Sequence, residues 1–253
     1  MKQSQAKKRD NAMTNKILMG LIALVLGLLF LEILIVHSKN EQQKNASNQV
    51  QTARIMANGD LLYHDGLYMS ALQADGSYDF TENFTYVKPW LKQADLVLGD
   101  FEGTINPDYP LSGYPLFNAP QSVIAAIKDA GYDVMDLAHN HILDSGLEGA
   151  FTTADAFKKV GIDPVGVYEK PVRDNAPLLI KNVNGIKVAI LSYAYGYNGL
   201  ESNLTDKEVA DHLSNLDEKR MKAEIQRAEK EADITVIMPQ MGVEYRLEPT
   251  DEQ

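Results

Sequence analysis

The sequence predicts an α/β domain, a layered sandwich around a largely parallel sheet, preceded by one transmembrane helix. Three observations predict it. From Arg54 onward, apolar runs of strand length alternate with longer stretches at helical spacing, the pattern of parallel α/β folds. Three of those runs end abruptly in polar residues of metal-binding type. Residues 54–58 run into Gly59-Asp60, residues 95–98 into Gly99-Asp100-Phe101-Glu102, and residues 134–138 into His139-Asn140-His141. Finally, residues 17–36 are nearly all Leu, Ile, Val, Ala, Gly, Met and Phe, and about 20 such residues cross a bilayer core as a helix.

Residues 1–16 carry Lys2, Lys7, Lys8, Arg9 and Lys16 and read as a basic cytoplasmic segment, because positive charge before a span stays inside. Within the span the single charge is Glu32, near the far end, where a carboxylate reaches the headgroups. His37-Ser38-Lys39 lacks the small-residue site of a cleaved signal peptide. Residues 17–36 are therefore expected to be an uncleaved anchor in the cell membrane, with the main domain outside. Residues 37–52, rich in Gln, Asn, Lys and Ser, read as a linker.

In the remaining domain, residues 53–253, strands are expected at 54–58, 95–99, 133–138, 165–167, 178–183, 186–193 and 233–238. Asn184-Gly185 between two of them is a hairpin signal. Helices are expected at 82–93, 120–130, 146–160 and 205–231. Pro120 suits a first helical turn. Thr205 and Glu208 have capping-box spacing, and Met221, Ile225, Ala228 and Ala232 continue an apolar stripe, so the last helix is expected to pack and to carry no chemistry.

The 253 residues carry a net charge of −11. Residues 1–36 hold five bases and two acids, leaving 19 bases against 33 acids, or −14, in the rest. That balance argues against nucleic-acid binding, which needs a basic face, and suits a surface that attracts cations. With no cysteine, disulfides and thiolate zinc sites are excluded.

Ligands of open α/β sheets bind beyond the carboxyl ends of the strands, so neighbouring strands would bring the three polar clusters together as a divalent-metal site. Asp60 alone is a common turn former, but His64 lies four residues on, and an Asp and a His close together can share an ion. Asp100 and Glu102 are bracketed by Gly99 and Gly103, which let the chain turn sharply at the end of a strand buried on both faces. Asn140 offers an amide oxygen. His141 suits a general acid or an oxyanion clamp, Asp144 can orient its ring, and His139 reads as a packing or supporting residue. Tyr193, Tyr195 and Tyr197 read either as groove-lining or as partly buried aromatics.

Taken together, Gly59-Asp60, Gly99-Asp100-Phe101-Glu102-Gly103, Asn140-His141-x-x-Asp144-x-Gly146 and Gly242-Val243-Glu244-Tyr245 resemble the CapA family, named for poly-γ-glutamate capsule synthesis and related to calcineurin-like metallophosphoesterases. The resemblance runs from about Ile55 to the end of the chain. It implies a metallophosphoesterase-like fold and a site for one or two divalent ions (Mn, Zn or Fe) built from Asp60, Asp100 or Glu102, Asn140 and His141, with His64. It implies metal-dependent phosphoester chemistry. The implied partners are a membrane, other capsule-synthesis membrane subunits and an anionic polymer. Two departures stand out. Gln240 occupies a place where relatives carry His, a weaker ligand offered through its amide oxygen. The sequence also ends before a Gly-His-x-His-like element, so a C-terminally truncated member with fewer ligands and an uncovered sheet edge is expected. The rival expectation is a non-catalytic scaffold or polymer-binding subunit.

Overall fold

The computed structural model describes residues 28, 30–39, 50–172, 175–251 and 253. The chain divides after Val50 into two units. In the first, residues 30–39 are helical and exposed. No helix among the described residues is long and apolar enough to cross a membrane, and most of the expected span, residues 17–36, lies outside them.

Among the described residues of the second unit, Gln51–Gln253, seven strands form two sheets rather than one. β1 (Ile55–Asp60), β2 (Leu96–Asp100), β3 (Val134–Asp136) and β4 (Asp163–Val165) pair in that order, all parallel. β5 (Leu179–Val183), β6 (Ile186–Ala194) and β7 (Ile234–Gln240) form a mixed sheet, β5 antiparallel and β7 parallel to the central β6. The β5–β6 turn is the expected Asn184-Gly185, both at positive φ (54° and 89°), as a tight hairpin turn demands. The expectation of largely parallel pairing holds, with β5–β6 the one antiparallel pair among the described strands; the correction is that the strands divide between two sheets. The run at 178–193 folds on itself locally, and only β7 returns by a helical crossover.

Two short helices lie between β1 and β2, α1 (Asp65–Ser70) and α2 (Lys88–Leu91). The alternation of β2 fixes the layers. Leu96 and Leu98 face the second sheet, packing with Val134, Val165, Val188 and Ile190. Val97 faces the other way, against helices α3 (Val123–Ala130) and α4 (Gly146–Lys159), with Val123, Ile127 and Phe157. Two further helices, α5 (Asp206–His212) and α6 (Glu218–Glu231), precede β7. On the far side, Ala189, Leu191 and Tyr193 of β6 pack on Met221, Ile225 and Ala228 of α6. The result is four layers, helices–sheet–sheet–helix. Leu98, fully buried, is the kind of residue whose burial contributes about 1.5–3 kcal/mol.

Two expected helices are broken. Residues 82–93 become a 3-10 turn, Thr81–Phe84, and the short α2. Pro89 cannot donate to the carbonyl four residues back and its ring crowds that carbonyl, which breaks the helix there. Residues 205–231 become α5 and α6. Thr205 and Glu208 form the expected capping box. Leu213 is fully buried, however, and bridges to Val167, while Asn215 bridges to Ala194. Asp217 then accepts from the Arg220 N–H and starts a new helix. Strand β4 also begins earlier than residues 165–167, because Asp163 and Pro164 pair with Val134 and Met135.

Candidate metal centre

The parallel pairing of β1, β2 and β3 places their carboxyl ends side by side. One irregularity aligns the acids. Between Ala57 and Asp60, β1 advances three residues while β2 advances two, from Leu98 to Asp100. The extra residue is a bulge at Asn58-Gly59, which re-aims the end of the strand. Without it Gly59 would oppose Asp100; with it Asp60 does. Asp100 in turn opposes Asp136 of β3, so three aspartates form a row across the sheet.

Asp60, Asp100 and Glu102 each offer a carboxylate oxygen within 4.8 Å of the others. Asp60 is exposed, while Asp100 and Glu102 are buried. Burial, with Asp136, Asp60 and Glu102 close by, pushes the Asp100 carboxyl up to about 9. Burial and the shared hydrogen bond with Asp60 push Glu102 up to about 8. Burial likewise raises Asp136 to about 7, against the hydrogen bonds it accepts from Ser192 Oγ and the Ala138 N–H (2.8 Å). Clustered carboxylates out of water repel, which raises the buried Asp100 and Glu102 and favours a cation among them. Asp100 Oδ1 is buried and has no hydrogen-bond partner. A buried carboxylate with one unpaired oxygen, clustered with two further carboxylates, fits a hard or borderline divalent ion.

Beyond the acids lies the loop after β3. His141 Nδ1 lies 2.8 Å from Asp144 Oδ2, which also accepts from the Phe117 N–H (2.5 Å). That bond directs His141 Nε2 to the other side, 3.9 Å from Glu102 Oε1. Asn140 and Gln240 grip each other. The Asn140 N–H donates to Gln240 Oε1 (2.7 Å), and Gln240 Nε2 donates to Asn140 Oδ1 (2.9 Å). Gln240 thus braces the loop with both ends of its amide. His64 is exposed at the start of helix α1, and its ring meets the Phe117 ring edge-on at 4.7 Å. Phe117 makes the same contact with His141. His64 is outside the group of three carboxylates. His139 is fully buried, and burial pushes it down to about 3; its Nδ1 accepts from the His141 N–H, a supporting role.

Two neighbours are not evident from the sequence. Asp136 sits inside an apolar run, and its signal was the repeated Asp at three strand ends. Asn198, at φ 54° in the loop after β6, accepts from Asn140 Nδ2 (3.2 Å) and brings its own Nδ2 to 3.4 Å from His141 Nε2. Nothing local in the sequence marks it. The site opens into a cleft of about 510 Å³ lined by Asp60, Glu102, Asn140, Tyr195, Glu244 and Arg246, among others. Of the three tyrosines, Tyr195 lines this cleft, whereas Tyr193 and Tyr197 are buried.

Residues 54–253 match the family of bacterial capsule synthesis proteins termed PGA_cap. The chain belongs to this family. It is 31% identical over 179 residues to the capsule biosynthesis protein CapA of Bacillus anthracis, a match covering 67% of this chain and 43% of that protein. Against the PGA biosynthesis protein CapA of Bacillus subtilis it is 26% identical over 249 residues, covering 97% and 63%. This member of the PGA_cap family thus spans less than two thirds of the length of these curated relatives. Among solved structures, the calcineurin-like phosphoesterase YfkN of Bacillus subtilis is 17% identical with a TM-score of 0.45, over 78% of this chain and 64% of that one.

Proposed function

We propose that this PGA_cap-family chain is a membrane-anchored, extracellular protein that acts in the synthesis or export of an anionic envelope polymer of the poly-γ-glutamate type. Its carboxylate cluster holds one or two divalent ions, Mn, Zn or Fe, for phosphoester chemistry. The observation that carries the reading is the Asp60–Asp100–Glu102 cluster with its unpaired Asp100 oxygen.

When bound, such an ion supplies neutralising charge and polarises a phosphoryl oxygen. Asp60, Asp100 and Glu102 are its holders, and His64 and the Asn140 and Gln240 oxygens are the further candidates to test alongside them. In its imidazolium form His141 is the proton donor to a departing oxygen. Asp144 accepts from Nδ1–H and leaves the Nε2–H facing the acids, so the proton leaves from Nε2. Arg246, on the wall of the cleft, pairs with an anionic group of the substrate. An acidic domain meets a polyanion only through local positive charge, and the bound ion with Arg246 supplies it. Residues 17–36 anchor the chain in the lipid bilayer beside other capsule-synthesis membrane subunits.

The test is direct. Mn²⁺ raises the melting temperature of the purified protein, and chelator-sensitive phosphodiester turnover is lost in Asp100→Ala and His141→Ala. No thermal shift with Mn²⁺ or Zn²⁺, together with intact function in both variants, removes the metal reading. For the anchor, the full chain sediments with membranes and is cleaved by external protease; recovery in the soluble fraction removes it.

A second reading has its own observation. Gln240 and Asn140 spend their amides on each other, which suits a braced, non-catalytic scaffold or polymer-binding subunit. Chelator-sensitive turnover by the purified protein eliminates that reading.

A further inference from the structure

Residues 84–91 wind in helical turns: the Val87 N–H donates to the Phe84 carbonyl (3.1 Å), and the Trp90 N–H to that of Val87 (2.9 Å). Phe84 and Leu91 point inward and are buried. Tyr86, Val87 and Trp90 point outward and are 88%, 45% and 66% exposed. Tyr86 and Trp90 are four residues apart, and Val87 and Trp90 three, so the side chains share one face. Large apolar groups gathered on an exposed face mark a contact surface.

Three observations name what covers it. Trp and Tyr are the residues of membrane–water interfaces, apolar in the ring and polar at the N–H or O–H. The face also lies where the chain enters the domain. Arg54, just before β1, donates from its N–H to Asp95 (2.8 Å) and from Nη1 to the carbonyl of Gln93 (3.3 Å), three residues beyond Trp90. Residues 37–53 link the expected span to Arg54 and reach at most about 60 Å at full extension, so a bilayer holding residues 17–36 stays close to this end. Charge, finally, does not oppose the contact. Here Arg54, Lys88 and Lys92 balance Asp95, Asp129 and Asp133, and Lys88 pairs with Asp129. The acids Asp60, Asp100 and Glu102 gather at the opposite end of the strands. An anionic leaflet repels that end and accepts this one.

We propose that the Tyr86–Val87–Trp90 face docks on the lipid bilayer, its side chains entering the headgroup region. The domain then rests on the end where its parallel strands begin, and the carboxylate cluster faces away from the lipid. The inference rests on residues 17–36 being an anchor and adds to it a second, specific membrane contact.

Trp90 is the one tryptophan of the chain, so its fluorescence reports this face alone. The full chain is reconstituted in vesicles of three parts phosphatidylcholine to one part phosphatidylglycerol, with and without bromine in the upper acyl chains. The expected emission is blue-shifted from that of a water-exposed indole and is quenched by the brominated lipid. The double variant Tyr86→Ser, Val87→Ser changes exposed positions outside the carboxylate cluster. It is expected to sediment with the vesicles through the anchor and to lose most of the quenching. Sedimentation with vesicles but no quenching in the wild type overturns the docking surface and leaves the anchor standing; failure to sediment removes both. A blue-shifted emission that brominated lipid does not quench marks a protein on this face, a second copy included, and overturns the proposal. So does unchanged quenching in the double variant.

Discussion

The raised carboxyl groups make the metal-free protein sensitive to alkali, and the sign comes from linkage. Asp100 keeps its proton to about 9 when folded, whereas an unfolded Asp releases it near 3.8. The folded state thus binds one more proton between those values. Stability is full below the unfolded value and is lost as pH rises through the folded one, at about 1.4 kcal/mol per pH unit per proton. The window from about pH 7 to about pH 9 isolates the effect, because a buried neutral His139, held down at about 3, contributes its opposite slope only below the ordinary histidine value. Over those two units Asp100 alone removes about 2–3 kcal/mol. Glu102, at about 8, adds to this in the lower half of the window. For a domain of this size, each kcal/mol lowers Tm by about 2–4 °C, so the Asp100 contribution alone lowers the metal-free Tm by about 4–12 °C across the window. Asp100→Asn, with no proton to lose, flattens most of that decline. Mn²⁺ at about 100 times its Kd returns about 2.7 kcal/mol to the wild type and none to the variant. Differential scanning fluorimetry with chelator, then with Mn²⁺, measures all three curves. A metal-free Tm that is flat across the window, or the same decline in Asp100→Asn, refutes the reasoning.

Three further outcomes rest on named contacts. Asp144→Asn keeps Mn²⁺ binding but releases the His141 tautomer, lowering phosphodiester turnover by about 10²–10⁴-fold; NMR of the imidazole nitrogens reports the tautomer beside the kinetics. Leu98→Ala empties a fully buried position between the two sheets and costs about 2–5 kcal/mol in urea unfolding. Gly166→Ala places a Cβ at 2.7 Å from Ala138 N and Cβ at a φ of 100°, so the segment leading into His139-Asn140-His141 must shift; both Tm and Mn²⁺ affinity fall, and retention of both would exclude the strain.

What the sequence made legible were the parts governed by local chemistry. Strand positions came from short apolar runs, the hairpin from Asn184-Gly185, and the α5 start from the Thr205–Glu208 box, each within a residue or two of where the structure has them. The meeting of Asp60, Asp100 and Glu102 was legible too, because polar residues at the ends of adjacent parallel strands have one place to go. The unreadable parts depend on pairing partners far along the chain. The bulge at Asn58-Gly59, which puts Asp60 opposite Asp100, exists only relative to β2. Asn198 enters the site because the loop after β6, the central strand of the second sheet, reaches Asn140, and Asp136 is noticed only when its row is complete.

The same reasoning explains why Gln240 is ambiguous in sequence and definite in structure. As a residue type, its oxygen could face an ion. At the end of β7, however, its amide is within reach of Asn140, one hundred positions earlier, and amide-to-amide pairing satisfies both ends at once. A histidine there has no such reciprocal geometry: it could accept from the Asn140 N–H or donate to Oδ1 through one nitrogen, freeing the other. Gln240→His therefore trades a brace for a ligand atom, and the expected signature is opposite in sign for the two properties. Stability without metal falls by the loss of one buried hydrogen bond, about 1 kcal/mol, while Mn²⁺ affinity rises. A variant in which both fall would show that the brace, rather than the missing imidazole, limits the site.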